Sequence, residues 1–483
     1  MKRTIAIDHS LGVTRAAVLE DGALCEMHIE RENVVSQTES LFYGRVQAIK
    51  PSVRAAFVDV GLDKNVFLPL REGASLRAGD WVIVQGAASQ SVKTKGLRVT
   101  DRPMIAGKWL VLLPGDAGVR LSKKIRDEAL REQLREMAEA ICPEGCGLIV
   151  RTASVLSPES LKEEAQELLS RWQEIVRRAA GMTAPGVLWE RERLYQALVR
   201  DLGTPELERI TVNETGCYQA LLAEQTAGRI DRQTEITLYD ERERGMLLFD
   251  VLGLEAQIDC ALRRRVWLPC GGELVIEPCE AMTVIDVNSG KMTLGRDLEE
   301  TALRVNLEAA DEIARQLRLR EIGGVVVIDF IDMSRAENRE RLTKRMREAV
   351  LRDRSAVHVE GLTRLGLMEL TRKRKGEELR RRLCDSCGHC GGTGETLSAE
   401  ETALRALRDV RRRALGGQRG PFVIECGKRC AQALAGHENP VEGARIYVTG
   451  AYGGAAERYS IAQIGENEMP PVGTALLGER KEA

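Results

Sequence analysis

Two stretches of the chain could hold a metal ion between carboxylates. The first is Thr283-Val284-Ile285-Asp286-Val287-Asn288, followed by Ser289-Gly290. Its alternation of apolar and polar types predicts a half-buried strand, and a period of two puts Asp286 and Asn288 on one face. The second is Val325-Val326-Val327-Ile328-Asp329-Phe330-Ile331-Asp332. It is a β-branched run of the kind that fills a central strand, with carboxylates at its end. Two carboxylates and one amide suit Mg²⁺, a hard ion that takes few carboxylates, keeps waters and binds substrate phosphate. The Asn288 amide can donate to a phosphate oxygen without adding charge. The plainer alternative is that Asp286 and Asp329 cap turns at strand ends. Asp332, three residues beyond Asp329, should face the other side of an extended strand.

The segment between these stretches must position them. Leu298, Ala302, Val305, Ala309, Ile313 and Leu317 recur at helical spacing, which predicts an amphipathic helix over about 298–319. Asp297 is placed to cap it, and Gly323-Gly324 to stop it. Strand, helix, strand is a right-handed crossover, so the two strands should be parallel. As neighbours they would bring Asp286 and Asp329 to one carboxyl edge, where α/β sheets place ligands.

A second metal signal is Cys384-Asp385-Ser386-Cys387-Gly388-His389-Cys390-Gly391-Gly392-Thr393-Gly394. Its Cys-x-x-Cys knuckle is rich in glycines that let backbone N–H groups turn toward thiolate sulfurs, as structural zinc sites require. A closed site needs four ligands and one knuckle gives two. Either two chains each give Cys387 and Cys390, or Cys384 or His389 completes the site within one chain. Cys142/Cys146 and Cys426/Cys430 have wider gaps and lie far off in sequence. The scattered Cys25, Cys217, Cys260, Cys270 and Cys279 read as small buried hydrophobes.

Weaker signals lie toward the N-terminus. Short strands between Gly, Pro and Asp turns fill residues 38–105, with Phe42, Tyr43, Phe57, Phe67 and Trp81 among Lys50, Arg54, Lys64, Lys93, Lys95 and Arg98. A small barrel with aromatic platforms and basic rims binds single-stranded nucleic acid by stacking and charge, although core packing explains such aromatics as well. Arg151-Thr152 ends a strand-like run, and that pair can receive a phosphate. Asp8, on a first strand, is either a metal carboxylate or a strand-end residue of the scaffold. Residues 372–382 are strongly basic.

Composition bounds these readings. The chain has 483 residues, 71 Lys+Arg and 73 Asp+Glu, 43% apolar and 30% charged residues. That is a multidomain globular composition, which excludes collagen, a disordered chain and a disulfide scaffold. Near-neutrality leaves room for a local basic groove. No apolar run reaches the roughly 18 residues of a membrane span, and the N-terminus enters a strand-like pattern without a signal-length apolar stretch, so a cytoplasmic location is expected. The five histidines, His9, His28, His358, His389 and His437, exclude a helical two-histidine zinc protease.

Over nearly its whole length the chain resembles the ribonuclease E/G family. The likeness is carried by Ala55-Ala56-Phe57-Val58-Asp59-Val60-Gly61, by Gly147-Leu148-Ile149-Val150-Arg151-Thr152-Ala153, by Ile285 to Gly290, by Asn306 to Arg320 and by Val327-Ile328-Asp329-Phe330-Ile331-Asp332-Met333. The resemblance implies an α/β multidomain protein. A ribonuclease-H-like domain would be split between 1–35 and 198–261, around an S1 (OB-fold) barrel at 36–105 and a 5′-sensor at 106–197. A DNase-I-like catalytic domain at 262–383, a zinc link at 384–397 and a small α/β dimerisation domain at 398–483 would follow. It further implies an Mg²⁺-dependent endoribonuclease of single-stranded RNA that favours 5′-monophosphorylated substrates in rRNA and tRNA processing and mRNA decay. Asp286 and Asp329 would hold Mg²⁺ and Asn288 would orient the scissile phosphate. Phe57, Phe67 and Lys95 would contact RNA. Gly107, Val111, Arg151 and Thr152 would form the 5′-monophosphate pocket. Cys387 and Cys390 would bind Zn²⁺ shared across a homodimer, which can pair into a homotetramer. Two rivals differ in class: a non-catalytic S1-type RNA-binding protein with a zinc-linked dimer, and a ribonuclease-H-like or actin-like enzyme that uses Asp8.

Overall fold

In the computed structural model the described residues are 2–31, 37–71, 73, 75–87, 97–290, 298–374, 376–388, 390, 392, 394–450, 459–466, 468–471 and 473–477. The chain divides into two compact units, Met1–Leu383 and Cys384–Ala483.

Alternating and β-branched runs in the first unit form four sheets, mixed with helices. One draws strands from distant parts of the chain, in the order Glu235–Leu238, Leu207–Val212, Arg3–Ser10, Val13–Glu20, Ala23–Arg31. A second runs Val66–Pro69, Ala55–Asp59, Leu41–Lys50, Trp81–Gly86, Val99–Thr100, and a bridge between Phe67 and Arg98 brings its two edges together. This nearly closed barrel is S1/OB-like. Its interior is filled by Phe42, Val46, Ala56, Val58, Val66, Leu68, Val84 and Val99. A strand from outside the segment, Gly186–Trp189, also pairs with Leu41–Lys50. A third sheet runs Gly118–Leu121, Cys146–Val150, Leu110–Pro114, Ile105–Ala106 and packs with the helices Glu128–Ile141 and Leu161–Ala180.

The fourth sheet has the order Arg265–Trp267, Glu273–Pro278, Met282–Asn288, Gly324–Asp329, Leu367–Arg372, Val357–Leu362. Met282–Asn288 and Gly324–Asp329 are parallel neighbours joined by the helix Leu298–Leu319, as the periodicity predicts. One face packs Leu274, Ile276, Ile285, Val287, Val326, Ile328, Met368 and Leu370 against Val305, Ala309, Ile313 and Leu317 of that helix and Leu342 and Met346 of the next. The other face is open. Val325, which belongs to the run expected to fill a central strand, is 43% exposed there. The strand is central in its sheet but covered on one side alone.

Three expectations need correction. Leu298 lies outside the buried stripe, at 62% exposure, because the stripe begins one turn later at Ala302. The helix ends before Gly323-Gly324, and Glu321, at φ 52°, makes the left-handed turn. Cys260 and Cys279 are exposed, not buried. Asp297, the expected cap, lies outside the described residues.

The second unit packs the helices Ala399–Leu415 and Lys428–Leu434 on a sheet ordered Tyr459–Gln463, Phe422–Cys426, Ile446–Thr449, Ala475–Leu476. Among the described residues no helix is long and apolar enough to cross a membrane.

Candidate active site

Asp286 and Asp329 are partners in the parallel register. Neighbouring strands lie about 4.8 Å apart, and residues in register share a face. Since Ile285 and Ile328 point into the core, both carboxylates stand side by side on the open face. Asn288 follows on that face, and its Nδ2 donates to Asp286 Oδ2 at 2.7 Å. Asp286 and Asn288 are half-buried and Asp329 is exposed. Among the described residues no lysine or arginine pairs with either carboxylate. Adjacent like charges repel, and a cation between them relieves that repulsion. Two carboxylates without a counter-ion among the described residues, reached from solvent, therefore fit a hard divalent ion with oxygen ligands. Asp332 lies beyond the strand end and is exposed.

The long helix fixes the chain on the far side of Asp329. Asn306 is fully buried in it and uses both ends of its amide on Ile331. Its Nδ2 donates to the Ile331 carbonyl at 2.8 Å, and its Oδ1 accepts the Ile331 N–H at 3.0 Å. The Glu299 carboxylate accepts the N–H groups of Ser334 at 2.8 Å and Arg335 at 3.0 Å. Gly290, at φ 61°, ends the Asp286 strand against the turn before Glu273, where a Cβ would meet the Gly271 carbonyl at 2.2 Å. No role was expected for Asn306. Its signal was an amide set among the apolar positions Val305 and Ala309.

The Arg151 region is also assembled. Arg151 Nη1 donates to the Gly107 carbonyl, and Nη2 donates to Asp201 Oδ1 at 2.7 Å. Thr152 Oγ1 lies 3.0 Å from Ser122 Oγ, and Val111 sits on the strand beside Ile149. Gly107 has no room for a side chain, because a Cβ would lie 2.5 Å from Glu164 Cδ. The Glu164 carboxylate accepts the N–H groups of Lys108, Trp109 and Leu110 at 2.6–2.8 Å. Burial nonetheless pushes its pKa up. Asp201 joins this region to residue 354. Burial would raise its pKa, but Arg151, Arg200 and Arg354 together hold it below the usual carboxylate range.

On the barrel, Phe57 and Phe67 are half-buried and pack edge to face at 6.0 Å, with Lys50 Nζ 5.2 Å from the Phe57 ring. Tyr43 stacks on Trp81 at 4.7 Å, whereas Phe42 is core. Lys95 lies outside the described residues. Asp8 is 4% exposed and accepts from Arg15 at 2.6 and 2.8 Å and from Asn213 at 2.7 Å. Those donors suit a scaffold residue better than a metal ligand.

In the second unit, the N–H groups of Gly394 and Gly392, with Cys387, hold the Cys390 thiol below its usual pKa. Cys390, served in this way, and Cys387 beside it fit two of the four ligands of a zinc ion. Cys384 and Cys387 are exposed, and His389 lies outside the described residues. Among the described residues no three His, Cys, Asp or Glu cluster as a metal site.

Comparison with known proteins gives this geometry a lineage. The model of the Ribonuclease E/G family matches residues 104–375, the span that holds Arg151, Asp286, Asn288 and Asp329. Ribonuclease G of Escherichia coli (strain K12) is 34% identical over 449 residues, 88% of this chain and 91% of the relative. Ribonuclease G of Haemophilus influenzae is 34% identical over 419 residues, 82% and 84% of the two chains. Ribonuclease E of E. coli (strain K12) is 35% identical over 438 residues, which is 86% of this chain but 41% of that protein. The family model spans the Arg151 region and the carboxylate sheet, and relatives 34% identical cover most of the chain: the chain belongs to the ribonuclease E/G family.

Proposed function

We propose that the protein is an endoribonuclease that hydrolyses phosphodiester bonds within single-stranded RNA, with Asp286 and Asp329 jointly holding one Mg²⁺. The observation that carries this reading is the in-register pairing of the two aspartates on the open face of their sheet. When bound, the ion supplies a Lewis acid and a water of lowered pKa. Asn288 has two N–H groups on Nδ2 and spends one on Asp286. The other is left to orient a phosphate oxygen. Water forms the new P–O bond, the bond to the 3′ oxygen breaks, and a proton passes to that oxygen, leaving 5′-phosphate and 3′-hydroxyl ends. Phe57 and Phe67 would stack bases next to the cut. Gly107, Val111, Arg151 and Thr152 would receive a 5′-monophosphate and improve binding rather than chemistry. Cys387 and Cys390 would hold Zn²⁺ shared between two chains of a homodimer or homotetramer. On this reading the enzyme works in the cytoplasm, in rRNA and tRNA processing and mRNA decay.

The test is incubation of labelled RNA, 5′-monophosphorylated or 5′-hydroxyl, with Mg²⁺ or with EDTA. Internal cuts with 5′-phosphate ends in Mg²⁺ alone are expected, faster for the monophosphate and equal for the two substrates in Arg151→Gln. Cleavage in EDTA, or 2′,3′-cyclic phosphate ends, refutes the mechanism.

A further inference from the structure

We infer that Trp267 is a stacking platform for a nucleobase that flanks the scissile phosphate, an inference that rests on the catalytic reading above. Trp267 ends the edge strand Arg265–Trp267 of the sheet that carries Asp286 and Asp329. Val266 packs against the core, so its neighbours Arg265 and Trp267 point to the open face. In register, Trp267 is opposite Glu273, and Glu273 is opposite Asn288. The indole thus stands in the same row as Asn288, two strand spacings or about 10 Å away.

Its surroundings separate it from the other tryptophans. Trp81 stacks on Tyr43, Trp109 lies under Lys108, Trp189 lies under Arg171, and Trp172 packs against a core. Trp267 is 63% exposed and has no ring or cation partner among the described residues. The charge beside it is prepared for a polyanion. Glu273, which would repel phosphate, is answered by Arg265 Nη1 at 3.1 Å from both carboxylate oxygens, and Glu277 is paired with Arg264. An exposed indole with a neutralised rim, on the face where the phosphate must lie, matches the way proteins hold unpaired bases. The occupant is a base of the RNA substrate rather than a protein side chain, because the row leads to the carboxylates.

The test compares wild type, Trp267→Ala and Trp267→Phe for RNA affinity, KM and kcat. The substrates are one RNA and its copies with single abasic sites on either side of the cut. Trp267→Ala should weaken RNA binding and raise KM by about tenfold or more, with kcat within about twofold, as expected when uniform binding is lost. Trp267→Phe should recover most of that loss. One abasic position should make wild type and Trp267→Ala equal. Unchanged affinity and KM in Trp267→Ala overturns the inference. So does a loss that persists at every abasic position, and so does a change of oligomeric state without a change in RNA affinity. If wild type binds RNA without cutting it, the catalytic reading fails, while the affinity arm still decides the role of Trp267.

Discussion

Arg372 and Asp353 offer a sharp test of what holds the carboxylate sheet together. Arg372 is in register with Gly324, the first residue of the Asp329 strand, and is 4% exposed. Its Nε and Nη2 donate to the two oxygens of Asp353 at 2.7 and 3.3 Å. Its Nη1 reaches the Ile322 carbonyl at 2.9 Å and Glu321 at 3.1 Å. Asp353 is 3% exposed. In Asp353→Ala the guanidinium stays buried with two of its four hydrogen bonds gone, and breaking a buried pair in this way costs about 3–5 kcal/mol. The surface pair Arg345–Asp311, at 2.6 Å with both side chains 45% exposed, is the control. Asp311→Ala should cost less than about 1 kcal/mol. Native-state hydrogen exchange of amides in Gly324–Asp329 reads the local free energy without treating a multidomain chain as two-state. A loss below about 1 kcal/mol in Asp353→Ala, or an equal loss in Asp311→Ala, would refute the reasoning.

Phe57→Ala and Phe67→Ala should each weaken single-stranded RNA binding by about tenfold in a filter or anisotropy assay, and unchanged affinity would remove the barrel from the RNA path. Zinc analysis should return one-half ion per chain, falling to none in Cys390→Ser, whereas one ion per chain would place a complete site within each subunit. Stability should fall with acid. The Glu26 carboxyl is buried and the Asp201 carboxyl half-buried; desolvation would raise both, yet Arg354 and His28 at Glu26, and Arg151, Arg200 and Arg354 at Asp201, hold them below their ordinary values. Their contribution is therefore present above the unfolded pKa of about 4 and is lost as pH falls through the folded values. Unfolding measured from pH 7 to pH 2 should show a loss that begins near pH 4 and is smaller in Asp201→Asn, and equal slopes in the two proteins would contradict the assignment.

The sequence made some of this site legible for reasons that are local. Alternation in Thr283–Asn288 set Asp286 and Asn288 on one face, and the helical stripe from Ala302 to Leu317 made the crossover between two parallel strands recognisable. What depended on distant partners was not legible. The run Val325–Ile328 reads the same whether one or both faces are covered, yet the exposed Val325 shows that one is open. Arg372 opens a strongly basic stretch with no local sign of burial, and its burial beside Asp353 is a tertiary fact. The strand Gly186–Trp189 joins a barrel whose other strands end at Thr100. Arg151 was visible, but Asp201, which holds it, is 50 residues away and carries no local motif. Trp267 carries no local motif, and only the register puts it in the row of Asn288.

The central claim is that Asp286 and Asp329 act as one unit on one ion. Cleavage rates and RNA affinities of Asp286→Ala, Asp329→Ala and the double variant, on one 5′-monophosphorylated RNA in Mg²⁺, test it most directly. Members of a unit are non-additive, so each single change should remove as much activity as both together, with RNA affinity nearly intact. Substantial cleavage by either single variant, or losses that add in the double, would contradict it.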